Sequence, residues 1–166
     1  MGKGRRSFVS ICVVIVFTLT GIFYNKFKQG IPLENTEVKL LKCTDGDTAH
    51  FDFNGKDKTI RFLAIDTPET VKPNTPVQPY GKEASDYTCG MLKDADNIVL
   101  EFEEEKTDKY GRLLAWIFVD GELLQKQLVE NGLAKVAYLY GNYRYTDVLK
   151  EAEKIAKRKK IGVWEK

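Results

Sequence analysis

The chain has 166 residues, 43% of them hydrophobic and 30% charged, which fits one globular domain with short additions and a substantial buried core. The formal net charge is only +2, and residues 1–35 hold five of the 26 Lys and Arg but one of the 24 Asp and Glu. The rest of the chain is therefore slightly acidic, and its bulk charge gives no argument for binding to nucleic acid.

Residues 1–24 form a candidate export signal. Three basic residues, Lys3, Arg5 and Arg6, precede an uncharged run at residues 7–24. As a helix, this run spans about 27 Å, just short of a hydrocarbon core of about 30 Å. The pattern is typical of an uncleaved membrane anchor or of a cleaved signal peptide, and either one exports the domain that follows. Residues 25–35 are predicted to be a polar linker, and residues 36–166 the folded domain.

Two hairpins are predicted at the start of this domain. A strand at residues 38–43 leads into Asp45–Thr48 (Asp-Gly-Asp-Thr), and Asn54-Gly55 marks the second turn. Asp-Gly between strands is typical of a hairpin turn, and this interpretation stays open beside a role in a functional site.

A stiff acidic corner follows the second hairpin. Residues 60–65 are apolar except for Arg61, which predicts a strand buried on both faces. A buried guanidinium cannot lose its charge and needs an anionic partner or ligand. The strand ends at Asp66–Glu69 (Asp-Thr-Pro-Glu), and three more prolines by residue 79 leave no room for a helix. We therefore interpret the corner as a metal or phosphate site.

Periodicity and turn residues predict the remaining elements. These are a helix at 80–92, strands at 98–102 and 113–119, a solvated strand edge at 103–105, a charged connection at 107–112, a short helix near 124–128, an extended aromatic-rich segment at 134–140 and a terminal helix with an apolar stripe at 148–156.

The side chains available for catalysis indicate an enzyme that attacks a phosphodiester. The chain has one histidine, so it lacks the material for zinc sites of the His type or for Ser-His-Asp catalysis. Carboxylate oxygens suit Ca²⁺ or Mg²⁺, a further glutamate can position water, and arginines can stabilise phosphate charge. The residues available for these roles are Asp45, Asp47, Arg61, Asp66, Glu69 and Arg112.

Four motifs in order resemble the staphylococcal-type thermonuclease family across about residues 36–166. They are Asp45–Thr48, Arg61–Glu69, Thr107–Arg112 and Gly132–Tyr138. The resemblance implies an α+β OB-fold, a five-stranded β-barrel with three α-helices. It also implies a monomeric, calcium-dependent nuclease that acts on DNA and RNA and leaves 3′-phosphates.

The resemblance assigns roles to the acidic residues. Asp47 and Asp66 would bind Ca²⁺ directly together with the Thr67 carbonyl, and Asp45 would lie behind these ligands. Glu69 would orient or deprotonate the attacking water.

The resemblance also implies residues that contact the substrate. Arg61 and Arg112 would bind the reacting phosphate, unless they pair structurally with carboxylates. The neighbouring phosphate and nucleotide would be held by Lys109, Tyr110, Tyr138 and Tyr140, although Tyr138 and Tyr140 could instead fill core space. The loop at residues 70–79 has only one basic residue, Lys72, where the family often has several, which points to weaker binding of nucleic acid.

Three questions stay open from the sequence. A non-catalytic nucleic-acid-binding OB module is the main alternative, and it would have no use for the acidic set together with both arginines. A phosphodiesterase for small molecules is a further alternative. Cys43 and Cys89 lie in a domain predicted to be extracytoplasmic, where they could form a disulfide or stay as two buried thiols. Residues 7–24, if uncleaved, would attach the protein to a membrane.

Overall fold

The structure is a computed structural model that describes residues 35–70, 76–103 and 107–165. The predicted signal or anchor at 1–24 and residues 25–34 of the predicted linker lie outside the described residues. Across the three described ranges, no helix is both long enough and apolar enough to cross a membrane.

Eight strands and three α-helices account for most of the regular structure in these ranges. The strands are β1 (Thr36–Cys43), β2 (Thr48–Phe53), β3 (Lys56–Phe62), β4 (Ile65–Asp66), β5 (Ile98–Glu101), β6 (Leu113–Val119), β7 (Glu122–Leu123) and β8 (Lys135–Val136). The helices are α1 (Gly81–Lys93), α2 (Leu124–Glu130) and α3 (Thr146–Lys159), and a 3₁₀ turn follows at Gly162–Trp164.

Five strands close into a barrel. β1, β2 and β3 are antiparallel neighbours, β3 lies parallel to β6, and β5 pairs antiparallel with both β6 and β1. Large apolar side chains such as Phe51, Phe62 and Trp116 are fully buried in the interior. The predicted OB-fold, a five-stranded barrel with three helices, is therefore confirmed.

The register of the strands brings three chain segments to one end of the barrel. Thr48, at the start of β2, lies opposite Arg61 of β3, and Arg61 lies beside Leu114 near the start of β6. The β1–β2 loop, the end of β3 and the β5–β6 connection therefore meet at this end. The two predicted hairpins are confirmed, and the first of them is part of this cluster of loops.

The predicted strand at residues 60–65 is wrong in one respect. The whole run is buried, as expected, but β3 ends at Phe62, and Ala64 adopts a positive φ of 61°. This left-handed residue turns the chain, so Ile65 and Asp66 leave the barrel and pair antiparallel with β8. The acidic corner therefore belongs to a separate two-stranded ladder.

The predicted extended segment at residues 134–140 is also shorter than expected. Only Lys135–Val136 is a strand, because β4 offers just two residues for pairing. The Ala137 N–H then donates to the Ala64 carbonyl at 3.0 Å, and Tyr138 takes a positive φ of 56°. This conformation ends the strand and carries Tyr138 toward the end of the barrel where the loops meet.

The helices begin and end close to their predicted positions, but their buried faces differ in detail. The predicted buried face of α1 comprises Ala84, Tyr87, Thr88 and Met91. The helix buries Ala84, Thr88 and Leu92, while Tyr87 and Met91 are only partly covered. In α3 the predicted stripe holds at Leu149, Ala152 and Ala156, whereas Val148 is 44% exposed.

Glu103 is not the solvated edge residue predicted from the acidic run. Its carboxylate accepts hydrogen bonds at 2.8 Å from the Trp116 indole N–H and from the Arg144 backbone N–H. The side chain therefore fastens the segment before α3 to the barrel. Glu104 and Glu105 lie outside the described residues.

A disulfide joins Cys43, the last residue of β1, to Cys89 in α1. Their Cα atoms are 5.7 Å apart, and 46 positions separate them in the sequence. The question left open by the sequence is thus resolved in favour of pairing, and α1 is fixed against the barrel next to the β1–β2 loop.

Asp108 organises the connection between β5 and β6. Its Oδ1 accepts the backbone N–H groups of Tyr110 (2.9 Å) and Arg112 (3.0 Å), and its Oδ2 accepts the Arg112 Nε–H at 2.7 Å. Burial acts to raise the pKa of the Asp108 carboxyl, but the hydrogen bonds from Arg112 and Tyr110 outweigh it and lower this pKa below its ordinary value of 3.8.

These contacts predict how the stability of the protein depends on pH. Because the pKa of Asp108 is lower in the folded than in the unfolded chain, its ionised form stabilises the fold above pH ~4, and this contribution is lost as the pH falls through the folded value. At pH 7, Asp108→Asn should lower the free energy of unfolding by about 1–2 kcal/mol, measured by urea unfolding, with a smaller difference at pH 3.

A matched control is Asp86→Asn, which removes a carboxylate that pairs with Lys82 on the exposed face of α1. It should change the free energy of unfolding little at either pH, because exposed ion pairs contribute little. An equal loss in Asp108→Asn at both pH values would contradict the assignment.

Candidate functional site

One cavity of about 590 Å³ lies where the loops meet at the end of the barrel. It is lined by parts of the β1–β2 loop, β3, the acidic corner, the β5–β6 connection and the segment after β8. All eleven residues that the sequence singled out for a site line it: Asp45, Asp47, Arg61, Asp66, Thr67, Glu69, Lys109, Tyr110, Arg112, Tyr138 and Tyr140. The structure therefore brings together groups that are up to 95 positions apart in the sequence.

Asp47 joins the β1–β2 loop to the acidic corner. Its Oδ2 accepts hydrogen bonds from the backbone N–H of Thr67 (2.9 Å) and from the Thr67 hydroxyl (3.1 Å), and it lies 3.1 Å from Arg61 Nη2. Its Oδ1 accepts the Thr48 hydroxyl at 3.1 Å. The residue is only 6% exposed, so these donors compensate for the loss of water around its charge.

Arg61 is buried in the floor of the cavity, where its guanidinium pairs with Asp47. Nη1 donates to the Phe62 carbonyl at 2.8 Å, and Nη2 donates to the Ile65 carbonyl at 2.9 Å while it pairs with Asp47. Asp66 Oδ1 is further from Nη2, at 3.5 Å. The structural role that the sequence left open for Arg61 is therefore present, alongside its position in the cavity wall.

The acidic side chains of the site raise one another's pKa. Burial, then the charge of Asp47, raise the pKa of Asp45 from 3.8 to about 6. Burial and the Asp47 charge also raise the pKa of Asp66, although Arg61 and a hydrogen bond from Tyr138 act in the opposite direction. Several carboxylates thus share a space that holds too few cations to neutralise them.

The donor set fits a hard divalent cation. Asp47 Oδ1 accepts one hydrogen bond, and Asp66 keeps 48% of its side chain exposed, so both retain lone pairs for a ligand. Within residues 35–70, 76–103 and 107–165, no group of three or more His, Cys, Asp or Glu could hold a metal by itself. Two carboxylates, a carbonyl and water are a set that suits Ca²⁺ or Mg²⁺ rather than zinc.

Arg112 is oriented by its own turn. The hydrogen bond from Nε to Asp108 fixes one edge of the guanidinium. In the described part of the chain, no hydrogen bond from the two terminal nitrogens of Arg112 is found, and its side chain is 34% exposed. A planar guanidinium held in this way can bind a phosphate through its two terminal nitrogens.

Glu69 is fixed at the end of the corner by its neighbours. Its backbone N–H donates to Gln78 Oε1, and its carbonyl accepts the Gln78 N–H, both at 3.0 Å. Its carboxylate accepts the Thr70 N–H at 3.0 Å. The corner thus holds a carboxylate at the cavity wall without a helix, as predicted for residues 67–70.

Three tyrosines form the outer rim of the cavity. Tyr110, Tyr138 and Tyr140 are 72%, 50% and 78% exposed, so they do not fill core space as the alternative interpretation required. The rings of Tyr138 and Tyr140 are 6.1 Å apart, and the guanidinium carbons of Arg61 and Arg112 lie 5.5 and 5.6 Å from the rings of Tyr138 and Tyr110.

Three contributors to the site were missed from the sequence. Asp108 orients Arg112, and Tyr143 lines the cavity beside the predicted tyrosines. Gly46 lies so close to the corner that an added Cβ would fall 2.8 Å from the Thr67 hydroxyl oxygen. The Asp at the start of a tight turn was a usable signal for Asp108, whereas contacts between distant segments left none for Gly46.

Several known proteins are similar in sequence to this chain over most of its length. The Staphylococcal nuclease homologue family matches residues 59–166. A thermonuclease of Staphylococcus intermedius is 43% identical over 159 residues, which cover 95% of this chain and 93% of that protein. A thermonuclease of Staphylococcus hyicus is 42% identical over 126 residues, covering 76% and 74% of the two chains.

A relative outside the staphylococci shows the same likeness. Endonuclease YncB of Bacillus subtilis (strain 168) is 43% identical over 152 residues, which cover 86% of this chain and 72% of that protein. The barrel, the order of the four motifs and these identities agree. The chain therefore belongs to the staphylococcal nuclease homologue family.

Proposed function

We propose that the chain is a calcium-dependent nuclease that hydrolyses phosphodiester bonds of DNA and RNA and leaves 3′-phosphate ends. The observation that carries the proposal is the single cavity that joins hard carboxylate oxygens, an oriented arginine and exposed tyrosines. The names of the relatives, thermonuclease and endonuclease, support the reaction class.

The proposed metal ligands are Asp47, Asp66 and the carbonyl of Thr67, with Asp45 behind them. Bound there, Ca²⁺ would offset the negative charge of the phosphate and of the acidic groups. The position of both carboxylates and of Thr67 in the wall of one cavity supports this assignment.

Glu69 and the arginines would carry the remaining chemistry. Glu69 accepts a proton from the attacking water, whose oxygen forms a bond to phosphorus. The bond from phosphorus to the 5′ oxygen breaks, so the phosphate stays on the 3′ side and the 5′ oxygen leaves as a hydroxyl after gaining a proton. Arg112 donates hydrogen bonds to the phosphate oxygens as negative charge builds up on them. The guanidinium of Arg61, in the cavity floor, stabilises the same charge electrostatically.

The rim residues would bind the nucleotides beside the reacting phosphate. Lys109 lies 5.0 Å from the Tyr110 ring, and the exposed faces of Tyr138 and Tyr140 offer surfaces on which bases can stack. Unstacked bases are available in single strands, so this arrangement favours single-stranded or frayed substrates.

A nucleic-acid-binding module without catalysis is the alternative from another class. Carboxylates at the centre of the cavity repel a polyanion, and a binder would gain nothing from them. The charge of Asp47 is, after burial, the second cause that raises the pKa of Asp45 to about 6. The acidic centre therefore favours the enzyme.

We also propose that the protein is a monomer that acts outside the cytoplasm, either secreted or attached to the membrane through residues 7–24. The basic residues before the uncharged run support export. The Cys43–Cys89 disulfide also supports it, because structural disulfides are typical of oxidising compartments.

The proposed metal dependence is tested by digestion of heat-denatured DNA and of RNA by the purified full chain. We expect cleavage with Ca²⁺, none with a chelator, and poor activity with Mg²⁺, because Mg²⁺ demands a tighter octahedral geometry. DNA products should become primers for a polymerase only after phosphatase treatment, as 3′-phosphates require. Full cleavage in the presence of chelator would overturn the metal assignment, and directly extendable products would overturn the bond that is broken.

The proposed role of Arg112 is tested by Arg112→Lys. Lysine keeps the charge but loses the planar fork, so we expect a rate about 10²-fold lower, with calcium affinity unchanged because Arg112 makes no contact with Asp47 or Asp66. Rates with saturating DNA and calorimetric titration with Ca²⁺ measure the two effects. Arg158→Lys, on the exposed face of α3, is the control and should match the wild type. A near-normal rate in Arg112→Lys would return this residue to a structural role.

A further inference from the structure

The β1–β2 loop is attached to α1 at two neighbouring points. The Thr88 hydroxyl donates to the Gly46 carbonyl at 2.7 Å, and the next residue of the helix, Cys89, forms the disulfide with Cys43. The two attachments lie on either side of Asp45. Thr88 is completely buried, so the Gly46 carbonyl has no water to replace its hydroxyl partner.

The opposite side of the same loop lies against the acidic corner. An added Cβ on Gly46 would fall 2.8–2.9 Å from three side-chain atoms of Thr67. Thr67 in turn gives two hydrogen bonds to Asp47 Oδ2. The loop is therefore held between a helix and a corner, and a shift of its backbone toward or away from α1 would change the position of Asp47.

The loop is also attached to β3 at Asp47, whose carbonyl accepts the Phe62 N–H at 2.9 Å, and its other backbone hydrogen bonds are internal. The N–H groups of Thr44 and Asp45 both donate to the Thr48 carbonyl at 3.2 Å, and the Asp47 N–H donates to Asp45 Oδ1 at 3.1 Å. These internal bonds fix the shape of the turn, but none of them ties the turn to another part of the barrel.

We propose that Thr88 and the Cys43–Cys89 disulfide are positioning residues for the metal ligands: they hold the loop that carries Asp45 and Asp47 at the distance from the acidic corner that a cation requires. This inference rests on the proposed function, since it concerns the same site. It adds that α1, which contributes no residue to the cavity wall, controls metal affinity through the loop.

The disulfide makes this control sensitive to reducing agents. A dithiol reductant such as dithiothreitol gives two electrons and two protons to the S–S bond, so Cys43 and Cys89 become thiols and the reductant closes to its own disulfide. One of the two attachments to α1 is then lost, and the Thr88 hydrogen bond is the one that remains between α1 and the loop.

The test compares Thr88→Val, which keeps the shape but removes the hydroxyl, with Thr88→Ser, which keeps the hydroxyl. In the full chain, we expect Thr88→Val to bind Ca²⁺ about 10-fold more weakly by calorimetry, and Thr88→Ser to stay near the wild type. Amide hydrogen exchange of the metal-free protein should be faster within residues 44–48 in Thr88→Val.

A stability control separates positioning from general loosening of the fold. Val119→Ala removes buried volume at the far end of β6 from Arg112 and should lower the melting temperature without changing calcium affinity. If Val119→Ala weakens calcium binding as much as Thr88→Val does, or if Thr88→Val leaves calcium affinity and exchange at 44–48 unchanged, the inference is overturned.

Reduction of the Cys43–Cys89 disulfide is an independent test. Dithiothreitol should weaken calcium binding and speed exchange at residues 44–48 in the wild type, but not in Cys43→Ala/Cys89→Ala, which retains Cys12 and so controls for other effects of the reductant. Unchanged exchange and calcium binding in the reduced wild type would overturn the role of the disulfide.

The outcomes also separate this inference from the proposed function. If the wild type neither binds calcium nor needs a metal for cleavage, the proposed function fails. The inference about positioning is then decided by hydrogen exchange alone, and unchanged exchange at residues 44–48 in Thr88→Val contradicts it.

Discussion

The contact between Asp47 and Thr67 is the interaction on which the rest of the site depends. Two donors of Thr67 and the Arg61 guanidinium converge on Asp47 Oδ2, at 2.9, 3.1 and 3.1 Å. Removal of one of these partners would leave the buried charge less well compensated, which is destabilising. The contact therefore fixes the β1–β2 loop, the floor of the cavity and the acidic corner relative to one another.

The same contact places negative charge at the point of the cavity where we propose that a cation binds. Burial, then the charge of Asp47, raise the pKa of Asp45 and of Asp66. Arg61 offsets part of this charge, but its guanidinium is also committed to the carbonyls of Phe62 and Ile65. The surplus of negative charge is a property of the folded barrel, because these segments are brought together only by strand register.

Much of the fold and of the candidate site could be predicted because local patterns in the sequence indicate it. Asn54-Gly55 marks a turn, the continuous apolar run from 113 to 119 marks a strand, and the four motifs identify residues that line the cavity. The roles of these residues stay predictions. What local patterns cannot show is how one segment lies against another.

The departures from the sequence-based predictions all have this cause. The turn at Ala64 needs β8 as a partner for β4, and the hydrogen bond from Thr88 to Gly46 joins residues 42 positions apart. In the sequence Glu103 is part of an acidic run, and only the fold shows that Trp116 lies beside it and donates a hydrogen bond to it. The disulfide is the intermediate case, because two cysteines in a domain predicted to be exported suggest pairing but do not give their separation.

The central claim is that one hard cation binds between Asp47 and Asp66 in the cavity that also holds Arg112. Crystals of the full chain grown with Ca²⁺ and measured for anomalous scattering test it most directly. The account predicts one strong peak within coordination distance, about 2.3–2.6 Å, of both carboxylates. A peak elsewhere on the protein, with none between these two residues, would contradict it.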